Sequence, residues 1–265
     1  MNEPSPNQIR YLRGRQRHRR IVRVSRIAIL LSFLFLWEFT ANVGIIDSFI
    51  FSSPSRIALC FRGMVQDRSI FLHIGVTLYE TILSFILVIV FSILTAVLLW
   101  FSERLSEILD PYLVVLNSLP KSALAPLLIV WLGANRTTII VAGMSVAVFG
   151  SILNLYSSFM TVEPEKLTLI YTLHGNRFHA LTKVVIPSSI PAIISTMKVN
   201  IGLCLVGVVI GEFIGGREGL GYMIIYGSQV FKLDWLLMSI VILCLIAMGL
   251  YSLINVMEKW YLNRL

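Results

Sequence analysis

Ile74–Phe101 reads IGVTLYETILSFILVIVFSILTAVLLWF, 28 residues that carry one formal charge, Glu80. A helix needs about 20 residues, at about 1.5 Å each, to cross the hydrocarbon core of a bilayer, so this stretch is long enough with residues to spare. It is continuously apolar rather than alternating, which selects a membrane helix over a barrel strand of about ten residues. Five further runs read the same way: Ile27–Ile46, Pro111–Leu132, Thr138–Met160, Ile190–Ile214 and Trp235–Met257. The whole chain agrees. It is 57% hydrophobic, has a mean hydropathy of +0.83 and is 14% charged, against about 25% charged in soluble domains. The expectation is an all-α integral membrane protein of about six transmembrane helices.

The charge of +8 is uneven. Arg10, Arg13, Arg15, Arg17, Arg19, Arg20, Arg23 and Arg26 precede the first run, opposed by Glu3 alone. Such a head can serve nucleic acid. Abutting a span, it reads instead as an anchor on anionic lipid headgroups, with no nucleic-acid partner expected. It places the N-terminus in the cytoplasm, and six crossings return the C-terminus to the same side. Lys and Arg outside the spans then number 14 inside and six outside, but six against six without the head, so orientation rests on the head. Ile27–Ile46 is longer than a signal-peptide core of 7–15 residues, and no small-x-small site follows it, so it reads as an uncleaved span. Cys60, Cys204 and Cys244 form neither a disulfide framework nor a metal spacing and read as packing residues. Two parts result: a head over residues 1–26 and a transmembrane domain over 27–265, with its longest inner loop at about 161–189. In the outer connection Ser53-Pro54 starts a short amphipathic helix, in which Ile57, Phe61, Met64 and Val65 recur at helical spacing.

Three segments distinguish this chain from an arbitrary six-span protein. Glu163–Pro191, EPEKLTLIYTLHGNRFHALTKVVIPSSIP, is long and polar for a connection. It predicts a helix, a break near His174-Gly175, a second basic helix with Phe178, Leu181, Val184 and Val185 on its apolar face, and a stop before Pro187. Such a pair either docks a soluble partner or lies on the headgroups. Asn117–Gly133, NSLPKSALAPLLIVWLG, has two prolines that kink or break a membrane helix and free carbonyls to face a cavity. Lys121 falls near mid-membrane there, either as a functional charge or as one snorkelling along the kink. Gly211–Gly221, GEFIGGREGLG, holds five glycines, which predict a tight re-entrant turn rather than a continuing helix.

These segments carry a family resemblance. The first resembles the cytoplasmic loop of binding-protein-dependent ABC importer permeases, whose signature reads roughly E-A-A-x3-G-x9-I-x-L-P. Val185-Ile186-Pro187 matches its end. Thr168, Leu169 and Ile170 stand where E-A-A would, and the ungapped count from Pro187 puts the family glycine on His174 rather than Gly175. The run P-K-x-A-L-x-P-L-x-x-x-W-x-G is similar to the nitrate/sulfonate/taurine branch, as are Glu212 and Gly219-Leu220-Gly221. The resemblance covers about Ser53 to the C-terminus. It implies the type I importer permease fold, with a coupling-helix loop in which Leu173, His174, Gly175, Asn176, Arg177, Phe178 and Pro187 dock the ATPase. It implies a translocation pathway and gate at Asn117, Ser118, Pro120, Lys121, Pro126, Glu212, Gly219 and Gly221. The implied partners are a second permease copy, two ATP-binding-cassette subunits and an extracytoplasmic binding protein, in a prokaryotic cell membrane. The implied cargo is a small solute, with Lys121 leaning towards an anion.

The residues add exclusions. No G-x-x-x-x-G-K-[ST] loop occurs, so ATP-Mg belongs on a partner and this chain binds no cofactor itself. No metal or catalytic set is visible: His18, His73, His174 and His179 form no H-E-x-x-H, and no span holds a carboxylate pair at helical spacing. Glu38 and Glu80 sit within spans and must pair, protonate or face water. Two rivals stay open: an ion-coupled secondary transporter acting without an ATPase, and a membrane scaffold recruiting partners through the basic loop.

Overall fold

A computed structural model describes residues 6–262, without the side chains of 6–13, 16, 19 and 262. The expected anchoring roles of the Arg10, Arg13 and Arg19 side chains lie outside the described residues. The described chain is helical with no strand. Its order is α1 (Pro6–Val43), α2 (Ser48–Phe51), α3 (Pro54–Gln66), α4 (Ser69–Phe101), α5 (Glu103–Ser118), α6 (Lys121–Leu132), α7 (Arg136–Met160), α8 (Pro164–Thr172), α9 (Arg177–Ala180), a π-helical turn (Leu181–Val185), α10 (Ile186–Gly215), α11 (Leu220–Gln229) and α12 (Leu233–Leu262). Two compact units meet at Arg62/Gly63.

In the first unit the expected Ile27–Ile46 span is helical to Val43 as the second half of α1. Glu38 is not isolated there. Its carboxylate accepts from the Ser55 amide at 3.0 Å, the Ser55 hydroxyl at 2.8 Å and the Asn42 amide at 3.1 Å. Pro54 opens α3, as the Ser53-Pro54 reading anticipates.

Among the described residues of the second unit four helices are long and apolar enough to cross a membrane: α4, α7, α12 and a continuous helix over Arg177–Gly215. The pair α5–α6 makes a fifth if counted as one span. Their starts follow local chemistry. Asp67 accepts from the Ser69 amide at 3.1 Å, Ser102 from Leu105 at 3.3 Å and Asn135 from Thr138 at 3.0 Å, satisfying amides that the first turns of α4, α5 and α7 leave free.

Two sequence expectations need correction and one is sharpened. Of the kink or break expected within Pro111–Leu132, the structure has the break: two helices, the first starting at Glu103 under its Ser102 cap, bent by 97° at Leu119-Pro120. Leu119 is extended (φ −63°, ψ 139°), the conformation that a following proline ring imposes. The second helix of the inner loop does not stop before Pro187. The Ile186 amide reaches back five residues to the Leu181 carbonyl, and this wider turn lets the helix run on past a proline that lacks an N–H and would crowd an α-turn. Nor do all five glycines of 211–221 form a turn: α10 stays regular through Gly215, and the break is confined to Gly216–Gly219.

Gly211 and Gly215 instead serve packing, with Gly207 one turn earlier. A Cβ on Gly207 would lie 2.8 Å from the Gly143 Cα, one on Gly211 3.2 Å from the Ile139 Cα, and one on Gly215 2.8 Å from the Ile129 side chain. Through Gly207 and Gly211 this small-xxx-small stripe lets α10 sit directly on the backbone of α7, and through Gly215 on α6, the route by which membrane helices gain dispersion energy without a hydrophobic drive. Around that contact α4, α7 and α10 exchange buried polar bonds: Ser84 to the Ile140 carbonyl at 3.0 Å, and Asn200 to the Ser151 hydroxyl at 2.8 Å. Lys198 of α10 is answered by Glu258 and Asn255 of α12.

Gly207→Leu should cost about 1–3 kcal/mol, as overpacking a tight contact does. Gly249→Ala, at a position with nothing within 4 Å, should stabilise α12 by up to about 1 kcal/mol. Thermal unfolding of the purified protein in detergent reads both, and equal shifts for the two would refute the close-contact account.

Candidate functional site

The break after α10 is rebuilt by side chains from two helices. Gly219 takes φ +105°, a conformation open to glycine, and starts α11 with its amides unsatisfied by backbone. His73 of α4 accepts from the Gly219 amide at 3.1 Å, Thr77 of α4 from the Leu220 amide at 2.8 Å, and Glu212 of α10 from the Gly221 amide at 2.6 Å. The Thr77 hydroxyl donates in turn to the other Glu212 oxygen at 2.7 Å. Thr77 and Glu212 are fully buried, so this carboxyl faces the positive end of α11 without competing water. The closeness is steric as well as polar. A Cβ on Gly219 would fall 2.2 Å from Glu212 Oε1, and one on Gly221 2.7 Å from Oε2. Beside the cap lies a cavity of about 230 Å³ lined by Val76, Glu80, Arg136, Ile139, Arg217 and Glu218, among others. Arg136 pairs with Glu218 at 2.7 Å at its mouth.

The other expected pathway residues stand apart from this cap. Asn117 and Ser118 end α5, Pro120 precedes α6, Lys121 opens it and Pro126 lies inside it. The Lys121 ammonium turns back onto the carbonyls of Leu116 and Asn117, the latter at 3.1 Å, and lies 5.4 Å from the Phe149 ring centre. A cation on the last carbonyls of a helix is a C-terminal cap, so the charge stabilises the break. Asn117 packs on α7, where a Cβ on Gly150 would lie 3.1 Å from its Oδ1.

The inner loop also has a built turn. α8 ends with His174 in the left-handed region (φ +59°). The Gly175 amide bonds the Ile170 carbonyl at 2.8 Å, and the His174 amide bonds Tyr171 at 3.1 Å. That pair of bonds is the Schellman termination, whose left-handed residue is ordinarily glycine. Asn176 then caps α9, accepting from the His179 amide at 2.9 Å while His179 Nδ1 accepts from the Asn176 amide at 3.3 Å. Leu173 and Phe178 project outward, 71% and 61% exposed. Arg177 reaches the Phe101 carbonyl at the end of α4 at 3.0 Å. Pro187 lies inside the continuous helix beyond the π turn.

Residues 88–265 match the family described as binding-protein-dependent transport system inner membrane component. The chain belongs to this family. A Haemophilus influenzae protein described as a probable ABC transporter permease protein is 30% identical to this permease, covering 87% of this chain and 92% of its own length. The taurine transport system permease protein of Escherichia coli is 23% identical, over 90% of this chain and 89% of its own. An amino acid ABC transporter, crystallised with histidines, shares the fold at a TM-score of 0.59 and 18% identity, covering 77% of this chain and 98% of that one. The permease thus has the type I importer fold, and its relatives include the nitrate, sulfonate and taurine branch. It is a multi-pass transport permease, not an enzyme, that works with ATPase and binding-protein partners. Membership decides against the ion-coupled secondary transporter and the scaffold.

Sequence reasoning reached Glu212, Gly219 and Gly221 but missed His73 and Thr77, and it left Glu80 without a partner. The signal was present: Thr77, Glu80, Thr81, Ser84 and Ser92 fall on one face of an otherwise apolar helix, and all are fully buried. The His174 finding also resolves the loop count, since the ungapped family glycine lands on the residue that takes the left-handed conformation. His174→Gly should therefore stabilise the permease by about 1 kcal/mol, and His174→Val should destabilise it by at least as much. Melting temperatures measure both, and a loss of stability in His174→Gly would refute the Schellman assignment.

Proposed function

We propose that two copies of the permease form the pathway of an importer powered by two ATP-binding-cassette subunits, with the Leu173–Phe178 turn docked on the ATPase and the Gly219 cap acting as the gate towards the binding protein. ATP-Mg sits on the ATPase. Both termini of the permease are cytoplasmic, in the cell membrane of a prokaryote, as the arginine-rich head favours. The single observation behind the coupling is the Arg177–Phe101 hydrogen bond. It ties the exposed turn to one end of α4, while Thr77, 24 residues back on the same helix, ties the other end to the gate. At about 1.5 Å per residue α4 is a rod of about 36 Å between the two. A closing ATPase pulls on the turn, the rod shifts, and the cap on α11 loosens as the pathway changes its open side, which is alternating access.

The cargo we infer is a small solute, with a small anion as the leading class, since relatives in this branch bear names for sulfonates, taurine and nitrate. Formylaminopyrimidine and riboflavin carriers also resemble this chain, so the binding protein is the place to seek specificity. Lys121 adds nothing to the anion argument, because carbonyls already hold its charge.

Gly175→Pro removes the amide that bonds Ile170 and drives a ring against it. We expect this variant to abolish ATP-driven uptake in proteoliposomes. We expect Arg177→Ala to keep the ATPase bound while uptake falls several-fold relative to ATP hydrolysed. Mild-detergent extraction of the tagged wild type should yield two ATPases per two permeases. A complex with one permease copy, or undiminished uptake by Gly175→Pro, would overturn the proposal.

A further inference from the structure

Glu80 and Glu212 are both fully buried, one on α4 and one on α10. The donors around them are unequally shared. Glu212 accepts from the Gly221 amide at one oxygen and from the Thr77 hydroxyl at the other. Thr77 has no second proton to give, since its one hydroxyl proton is already donated to Glu212. Neither oxygen of Glu80 receives a hydrogen bond from any described donor. Arg136, the cation on the neighbouring cavity wall, is engaged with Glu218 at 2.7 Å and does not reach it. Across from Glu80 stands the Glu212 carboxyl of α10, which is held by Thr77, three residues before Glu80 on the same buried face of α4. Two carboxylates are acceptors only, and cannot bond unless one holds a proton.

We propose that Glu80 and Glu212 form a proton-binding pair, in which Glu80 is the carboxylic acid that donates to the Glu212 carboxylate and thereby fastens α4 to the capped start of α11. The donor count fixes which partner holds the proton: Glu212 already accepts at both oxygens as an ionised carboxylate does, and Glu80 has nothing to accept. The proton also settles an otherwise prohibitive arrangement, since an unpaired buried carboxylate is costly and two facing each other repel. His73, Glu218, Arg136 and Arg217 are the other titratable or charged groups around the site. The pair lies in the segment read above as the gate, yet its proton is detectable in the resting protein whether or not that segment gates transport.

Infrared difference spectroscopy of the full-length wild type in nanodiscs at neutral pH, against Glu80→Gln, tests this. The C=O stretch of a buried carboxylic acid should be present in the wild type and lost in Glu80→Gln, whose amide replaces the donated proton. In Glu212→Gln the same band should persist at a shifted frequency, because its acceptor has changed. If Glu80→Gln does not fold, Glu80→Asp serves instead and should move the band without abolishing it. A wild type with no such band would mean that a cation or water answers an ionised Glu80, and would overturn the proposal. So would a band that Glu80→Gln leaves unchanged.

Discussion

Inside a bilayer a free amide or carbonyl has no water to turn to, and each one left unpaired costs several kcal/mol. An unbroken helix meets that constraint automatically. This chain breaks its helices at several points, so each break must carry its own replacement partners. At Leu119-Pro120 the partner is the Lys121 ammonium on the last carbonyls of α5. At Leu173–Asn176 it is a Schellman closure followed by a reciprocal side-chain cap. At Gly216–Gly219 it is His73, Thr77 and Glu212 on three successive amides. The third solution alone draws its capping groups from other helices.

The packing beneath these breaks is correspondingly rigid. α7 and α10 touch backbone to backbone through Gly143 and Gly207, which leaves little freedom for either to slide. α4 packs closely along α7 as well, with Ser84 set against Gly143 and bonded to the Ile140 carbonyl, and it is bonded both to the Leu173–Phe178 turn and to the Gly219 cap.

Most of the architecture was legible in the sequence because the bilayer imposes it through length and apolarity, and Ile74–Phe101 alone fixed the class. The helix breaks were legible where glycine or proline announces them, as at Pro120 and Gly219. What could not be read was partnership across the fold. Glu80 and Glu212 are 132 positions apart, and no periodicity links them. His73 looked like a loop residue until α4 proved to start at Ser69. Pro187 misled for a different reason, since a proline normally ends a helix and only the wider turn before it, invisible in composition, lets the chain continue. The glycines of 211–221 misled because one residue type serves both close packing and left-handed backbone, and only geometry separates the two uses.

That wider turn at Leu181–Val185 has a consequence for how the segment can vary. It amounts to one residue more than an α-helix needs, and each residue turns a helix by about 100°. Removing one residue there would restore ordinary winding but swing the Leu173–Phe178 knob about a quarter turn around the α10 axis, away from any surface shaped to receive it. The length of the stretch is therefore locked as firmly as its buried side chains Leu181 and Val185, so that homologous chains should align through it without insertion or deletion.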